Sequence, residues 1–467
     1  MKLLKATTTK VISSSDFNSD LKSALLTRRA FFLTQSPRLS QSEGARYTSR
    51  GKIFLKLLFT LILSLIPGEL ALASGFESPL LWSGRLSGMG GIATPHVSGA
   101  EALFFNPAGI VKSKPEQEVT FNLTSVASDF SAPINQNNEV IASKMKVVSP
   151  LSLLYGATPT EDYGFAIGAY TAANIYADYQ DFNYPNFAGR FSEKTEMVIS
   201  EIAAGIAYQL TPALKIGSAV RMVSLKADLT TLTNTSTFLL NPKFNDLSIE
   251  QVMGFKFGIQ YKFNKQTQMG ISYRSQVDLE AHGWMSGNTA DGNAQLPMTE
   301  SSVTVNTIFP QQASLGVLHR WNSHWKSGFE VDWTEYSQVK EIGILSSINS
   351  AHINTQASAI KLNWADQWNV RLGGEFNGLR FPLRFGYVYT SQVNNTDWAQ
   401  AAFDPPAPSH TFTLGSSYPV VKDVLLEGGA EYTISNGNAG QGDTIDVRPG
   451  EYSLATSALH LGFTYIF

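Results

Sequence analysis

The stretch Leu459–Phe467 (LHLGFTYIF) constrains the fold more than any other part of this chain. Successive side chains of a β-strand point to opposite faces. Leu459, Leu461, Phe463, Tyr465 and Phe467 therefore share one apolar, aromatic face, and His460, Gly462, Thr464 and Ile466 share the other. In water a terminal strand frays. In a closed membrane barrel the last strand pairs with the first and leaves no open edge, so an apolar strand ending on the aromatic Phe467 reads as a barrel-insertion signal. A buried strand of a soluble β-sandwich would show the same alternation. The rest of the chain separates the two.

The amino-terminal region favours export. Arg50, Lys52 and Lys56 precede the apolar run Leu57–Ile66, and Pro67-Gly68 and Ala71-Leu72-Ala73 follow. Basic, apolar and small-residue segments in this order form an export signal over residues 50–73, with cleavage after Ala73. The ten-residue run rises only about 15 Å as a helix, roughly half a bilayer core, so it predicts a removable signal and not an anchor. Residues 1–49, rich in Ser, Thr and Lys, read either as a disordered leader or as sequence ahead of an internal translation start.

After the signal no apolar run approaches the length of a membrane helix. With 0 Cys, no disulfide framework or thiolate site is available. A net charge of −3, without a basic patch interleaved with aromatics, gives no reason to expect nucleic acid. No metal motif of the HExxH type occurs, and no cofactor is expected.

Alternating segments cover residues 116–467. Fourteen read as strands, near 117–130, 145–158, 163–176, 196–210, 213–229, 252–264, 267–282, 311–321, 324–340, 366–378, 381–392, 409–419, 422–435 and 457–467. Ile202, Ala204, Ile206, Tyr208 and Leu210 form one face of the fourth. Short links, such as Thr211-Pro212 and Asn322-Ser323, alternate with long ones near 131–144, 177–195, 230–251, 283–310, 341–365, 393–408 and 436–456. Short turns on one side and long loops on the other are the outer-membrane arrangement, and the long loops are expected to face outward from the cell. By alternation Glu330, Asp332, Arg371, Glu375, Arg384, Glu427 and Glu431 point into the lumen, as ion-pair networks. Residues 74–115, rich in Gly, Ser and Ala, precede the first strand and read as a plug.

Several of these stretches, in order, resemble the long-chain fatty acid transporters of the Gram-negative outer membrane and their aromatic-hydrocarbon-uptake relatives. They are Ser74-Gly75-Phe76, Arg85–Gly91 (RLSGMGG), Ala100-Glu101-Ala102 with Phe104–Gly109 (FFNPAG), Phe309–Gly316 (FPQQASLG), Glu330–Ser337 (EVDWTEYS), Trp364–Trp368 (WADQW) with Arg371-Leu372-Gly373, Arg384–Tyr387 (RFGY) and Thr413-Leu414-Gly415. The resemblance implies an all-β, fourteen-stranded antiparallel barrel closed by an N-terminal plug, the hatch. It implies passive uptake of hydrophobic compounds, foremost long-chain fatty acids, through an internal apolar pocket. A kink in the third strand would open the wall sideways, at Gly168, Thr171, Ala172, Ala173 and Asn174. Asn106, Pro107, Ala108 and Gly109 would form the plug's tight turn. Basic residues hold the carboxylate in the family, and Lys226 and Lys361 lie near the corresponding positions. The implied partners are a fatty acid or hydrocarbon, outer-membrane lipids and the barrel-assembly machinery, with the protein a monomer.

Two other classes fit an outer-membrane barrel. A lipid hydrolase needs Ser, His and an orienting residue at the membrane rim. His96, His282, His319, His324, His352, His410 and His460 sit in no catalytic motif, so no catalytic residue is assigned. A structural or adhesive barrel would depend on its loops and not on a pocket.

Overall fold

The computed structural model describes residues 83–135, 139–235, 237–346, 357–440 and 448–467. The leader, the export signal and residues 74–82 of the expected plug lie outside the described residues. The remainder of that plug, 83–115, contains no strand, only a 3-10 turn Ser87–Met89, one helical turn α1 (Ala102–Phe105) and a 3-10 turn Pro107–Ile110.

The barrel begins with β1 (Glu116–Pro133), β2 (Val140–Thr158), β3 (Tyr163–Phe182), β4 (Phe191–Gln209) and β5 (Leu214–Thr230). The next five staves are each broken in two. They are β7 (Leu239–Ser248) with β8 (Val252–Lys262), β9 (Thr267–Arg274) with β10 (Val277–Ala290), β12 (Ser301–Phe309) with β13 (Gln312–Arg320), β14 (Trp325–Thr334) with β15 (Glu341–Ser346), and β16 (Ala357–Lys361) with β17 (Gln367–Phe376). Then come β18 (Leu383–Thr390), β19 (Ser409–Val421), β20 (Val424–Ala439) and β21 (Gly450–Ile466). Two short strands, β6 (Thr233–Asn234) and β11 (Gln295–Pro297), extend the loops. Neighbouring staves pair antiparallel throughout. β21 closes the cylinder on β1, from Glu118↔Ile466 to Ser131↔Ser453. Fourteen staves in a cylinder whose last strand pairs with the first are the expected architecture, and that pairing removes the open edges of the first and last strands.

Strand boundaries differ from the sequence reading in one consistent way. Most of the expected long loops are strand: β7, β12, β15, β16 and the far ends of β3, β4, β10 and β21 all fall in them. The link between the strands expected near 409–419 and 422–435 is displaced too, since β19 continues to Val421 and the turn is Lys422-Asp423. The cause of the first difference is visible on β5. Near the short turns its outward residues Ile216, Val220 and Met222 are apolar and exposed, and its inward residues Lys215 and Arg221 are polar and buried. Farther up, the inward residues Val223, Leu225 and Leu229 are apolar and buried, while Lys226 and Asp228 occupy the outer face. The outer face thus changes from lipid-facing to water-facing halfway along one strand, and the inner face changes with it.

The lipid-facing band includes Met253, Phe255, Phe257, Ile259 and Tyr261 of β8 and Leu459 and Leu461 of β21, all exposed. Exposed aromatics mark its short-turn edge (Tyr163, Tyr208, Trp321, Trp325) and its upper edge (Tyr273, Trp368, Tyr432), as membrane interfaces favour. A 17-residue strand such as β5 is longer than the ~10 residues that cross a bilayer, so its upper part, beyond Met222, stands clear of the lipid-facing band.

Candidate transport site

The plug is seated in the short-turn half of the barrel on a ring of inward glycines. A methyl at Gly217 would overlap the backbone of Pro107, and one at Gly258 would overlap Asn106 Oδ1. Gly270, Gly373, Gly386 and Gly415 meet the plug backbone at Thr94, Met89, Gly90 and Gly88 in the same way. Absence of a Cβ lets two backbones touch, which polar side chains then lock. Asn106 is fully buried. Its Oδ1 accepts from Ala108 N at 3.1 Å and caps the Pro107–Ile110 turn, with Pro107 at its start. Its Nδ2 donates to Thr94 O at 2.8 Å and to Ile259 O of β8 at 3.0 Å. The NPAG residues are therefore brought together as an anchor between plug and wall.

Lumenal charges complete the lock, and all seven inward residues named from alternation are buried. Glu330 accepts from Ala93 N at 3.0 Å, Thr94 N at 2.9 Å and Thr94 Oγ1 at 3.0 Å. Arg371 donates to Asp332 at 2.7 Å and to Gly90 O at 3.0 Å. Arg384 and Lys326 both bind Glu375, at 2.7 and 2.8 Å. His460 joins the closing seam: its Nδ1 lies 2.6 Å from Thr124 Oγ1, and its Nε2 lies 3.1 Å from Glu431. These groups, β1 to β20, tie neighbouring staves to each other.

Above the plug lies a buried charged layer that the sequence reading missed. Glu201 of β4 is bonded by Arg221 of β5, accepts from Tyr170 OH at 2.7 Å and lies 3.7 Å from Lys256 of β8. Arg221 also donates to Ser275 O, and Lys256 to Phe104 O of the plug at 3.1 Å. Arg221 and Arg274 lie over the Phe309 ring, 5.5 and 4.2 Å from its centre. Long-range inward phase is the signal that would have found these residues, because Arg221 and Lys256 alternate with the lipid-facing side chains of their own strands.

Above this layer the interior turns apolar. One mostly apolar cavity is lined by Leu, Ile, Val, Met, Ala and Phe side chains from Ile175 to Phe403, with Thr195 and Thr307 and the two acidic residues Glu196 and Asp228. It is narrow, a cavity of about 50 Å³. An apolar cavity that holds benzene is about 150 Å³, so a ligand must part these flexible Leu and Met side chains. Phe403 comes from the link between β18 and β19, whose Ala399, Ala401 and Ala402 are also buried. Phe403 lines the cavity from this loop, at the long-loop end of the barrel, and its ring packs edge-on 6.1 Å from Trp364.

The third strand is irregular where the resemblance placed a kink. Its register with β4 shifts between Thr171 and Ala173, a bulge at Ala172. The bulge reverses the phase: Ala166 and Tyr170 are buried below it, Ala173, Ile175, Ala177 and Tyr179 above it. The small Ala172 packs against both the cavity cluster and the plug cluster. On its other side β3 pairs with β2 only from Ala157↔Phe165 to Ser152↔Tyr170. β2 then continues on β1 up to Pro133↔Val140, and β3 on β4 up to Phe182↔Phe191. The β2–β3 seam thus separates at cavity level, bridged higher up by Asp178 N donating to Ser143 Oγ at 2.8 Å. Gly168 lies just below the split, against Leu154. Asn174 is buried above it, with an amide nitrogen that meets no partner.

Lys226 and Lys361 are not at the cavity. Lys226 is exposed on the outer face of β5, and Lys361 is exposed and paired with Glu341. Phe467 is exposed and its ring packs 4.7 Å from Tyr465.

The fold and its sequence have relatives. The chain is 21% identical to outer membrane protein P1 of Haemophilus influenzae, over 68% of this chain and 72% of that protein. Its fold is similar to the crystal structure of the Pseudomonas putida toluene transporter TodX, with a TM-score of 0.66 at 16% identity over 82% of this chain and 98% of that one. It is similar to a Pseudomonas aeruginosa FadL homologue, at a TM-score of 0.66 and 12% identity over 86% and 99%. It is also similar to the CymD monoaromatic hydrocarbon channel, at 0.63 and 16% over 84% and 99%. Residues 69–462 match the family of outer membrane protein transport proteins (OMPP1/FadL/TodX), and the chain belongs to that family, an outer-membrane transport barrel and not an enzyme.

Proposed function

We propose that this barrel takes up hydrophobic small molecules by way of the apolar cavity and releases them sideways into the membrane between β2 and β3. The observation that carries the reading is the split seam at Ser152↔Tyr170, beside the bulge at Ala172 and level with the cavity. The axis below is filled by a plug bonded to the wall. A hydrophobic cargo that leaves through the wall reaches the upper edge of the lipid-facing band by a short path and avoids the longer aqueous route past the plug, where each exposed methylene costs about 0.8 kcal/mol. The toluene transporter and the monoaromatic hydrocarbon channel, which share the fold, are named for cargo of this kind.

The cavity favours an uncharged cargo over the long-chain fatty acid implied by the family resemblance. Among the described residues no Lys, Arg or His lines it, and the charged residues that do, Glu196 and Asp228, would repel a carboxylate. At its floor, Arg221 is held by Glu201 and Ser275 O, and Lys256 by Phe104 O and Tyr170. A carboxylate would have to break those bonds.

Ala172→Trp tests the route. It should cut uptake of a labelled hydrophobic substrate by cells at least tenfold, with protein abundance unchanged. Ala430→Trp, on the outer face of a distant strand, should not. Equal uptake by both variants at equal abundance would refute the sideways exit. Uptake no higher in cells carrying the wild-type protein than in cells lacking it would instead favour a structural or adhesive barrel.

A further inference from the structure

We propose that Thr195 and Thr307 select the cargo, by offering two hydroxyls to a neutral oxygen on an otherwise hydrophobic molecule such as a phenol or an alcohol. This rests on the reading of the cavity as the cargo site. Both threonines line that cavity. Both are on the inward phase of their strands, Thr195 two residues from Met197 on β4, and Thr307 two residues from Val305 on β12. Thr195 is 5% exposed, and neither Oγ1 meets a hydrogen-bond partner.

Buried hydroxyls are normally bonded, and an unpartnered one is unfavourable. Two of them in one apolar cavity therefore call for an occupant. Valine has the same shape and would finish an apolar wall without that penalty; β12 uses it at the neighbouring inward positions, Val303 and Val305. A threonine hydroxyl both donates and accepts. It suits an alcohol, phenol or carbonyl and brings no charge to balance a carboxylate. A few placed polar groups in an apolar pocket are what orient a ligand. A cavity of about 10–15 Å³ on this measure holds one water, so the 50 Å³ cavity has room for water beside these hydroxyls. A cargo oxygen replaces that water bond for bond. A pure hydrocarbon expels it and leaves both hydroxyls bare.

The matched probes are p-cresol and p-xylene, which differ by a hydroxyl in place of a methyl. Binding of each is measured by titration calorimetry on the full-length barrel in detergent, for the wild type and for the double variant Thr195→Val, Thr307→Val. Heat-modifiable gel mobility checks that each variant is folded. The expected result is a roughly tenfold fall in the p-cresol to p-xylene affinity ratio, as loss of one or two neutral hydrogen bonds implies. A ratio unchanged within twofold would overturn the selection by threonine. A third variant, Ala281→Trp, fills the cavity from β10 and should weaken both probes together. If it weakens both while the valines leave the ratio alone, the cavity is the cargo site but the threonines do not select. If it changes neither, the cavity reading fails and this proposal fails with it.

Discussion

Asn106→Ala should loosen the plug while leaving the barrel intact. The side chain makes four bonds at once, to Ala108 N, Thr94 O, Ile259 O and Ile271 O, in a fully buried site. The last two tie plug to wall, on β8 and β9; the other two hold the plug's own turn in the shape that fits against Gly258. A neutral hydrogen bond is worth about 0.5–1.5 kcal/mol net, and a buried partner left unpaired costs at least as much. Allowing for the turn-shaping share, the plug should open more easily by about 2 kcal/mol, or about thirtyfold in the open population. With 0 Cys in the chain, a single reporter thiol is straightforward, and Val97→Cys places it at a fully buried plug position. Its labelling rate by a soluble maleimide then measures plug opening. Asn395→Ala is the matched control: Asn395 caps a 3-10 turn through Asp397 N at 2.9 Å, in the loop between β18 and β19. Asn106→Ala should raise labelling about thirtyfold and Asn395→Ala should not. If labelling in the two differs by less than threefold, with both barrels folded, Asn106 is not the anchor.

Two further outcomes follow from the same geometry. Gly258→Val should keep the plug from seating, because its Cβ overlaps Asn106 Oδ1, and should raise single-channel conductance in planar bilayers; Gly343→Val, whose nearest neighbour lies 3.8 Å away, should not. Glu201→Leu should lower the heat-modification temperature by several degrees, because removing one partner of a buried pair costs about 3–5 kcal/mol, and Arg221 keeps its charge after losing that carboxylate. An unchanged transition would show that this layer is dispensable for stability.

Much of this protein was legible before any coordinates. Period-two alternation and the spacing of short links identified fourteen strands, their closure through Leu459–Phe467, and the inward Glu330, Asp332, Arg371 and Arg384. Those patterns are local, since a strand shows its two faces within a few residues. The plug was legible for a different reason: Gly-rich sequence with an Asn-Pro turn cannot continue a strand ladder. The cargo cavity was not legible. Its lining comes from seven described strands and a loop, from Ile175 to Phe403, and no short motif spans that distance. Lys226 looked like a ligand by position alone, and the structure puts it on the outer face.

Alternation alone determined that the chain is a strand-built cylinder with one apolar face. Only the tertiary structure decided which face is the inside at each height. On β5 the outer row runs from Ile216 and Met222 to Lys226 and Asp228, and the inner row from Lys215 and Arg221 to Leu225 and Leu229. Lipid surrounds the lower half of that strand and water the upper half. An apolar side chain faces out in the first and in toward a cavity in the second. The sequence records the polarity of each face, but where the solvent changes depends on how thirteen other staves stand around it.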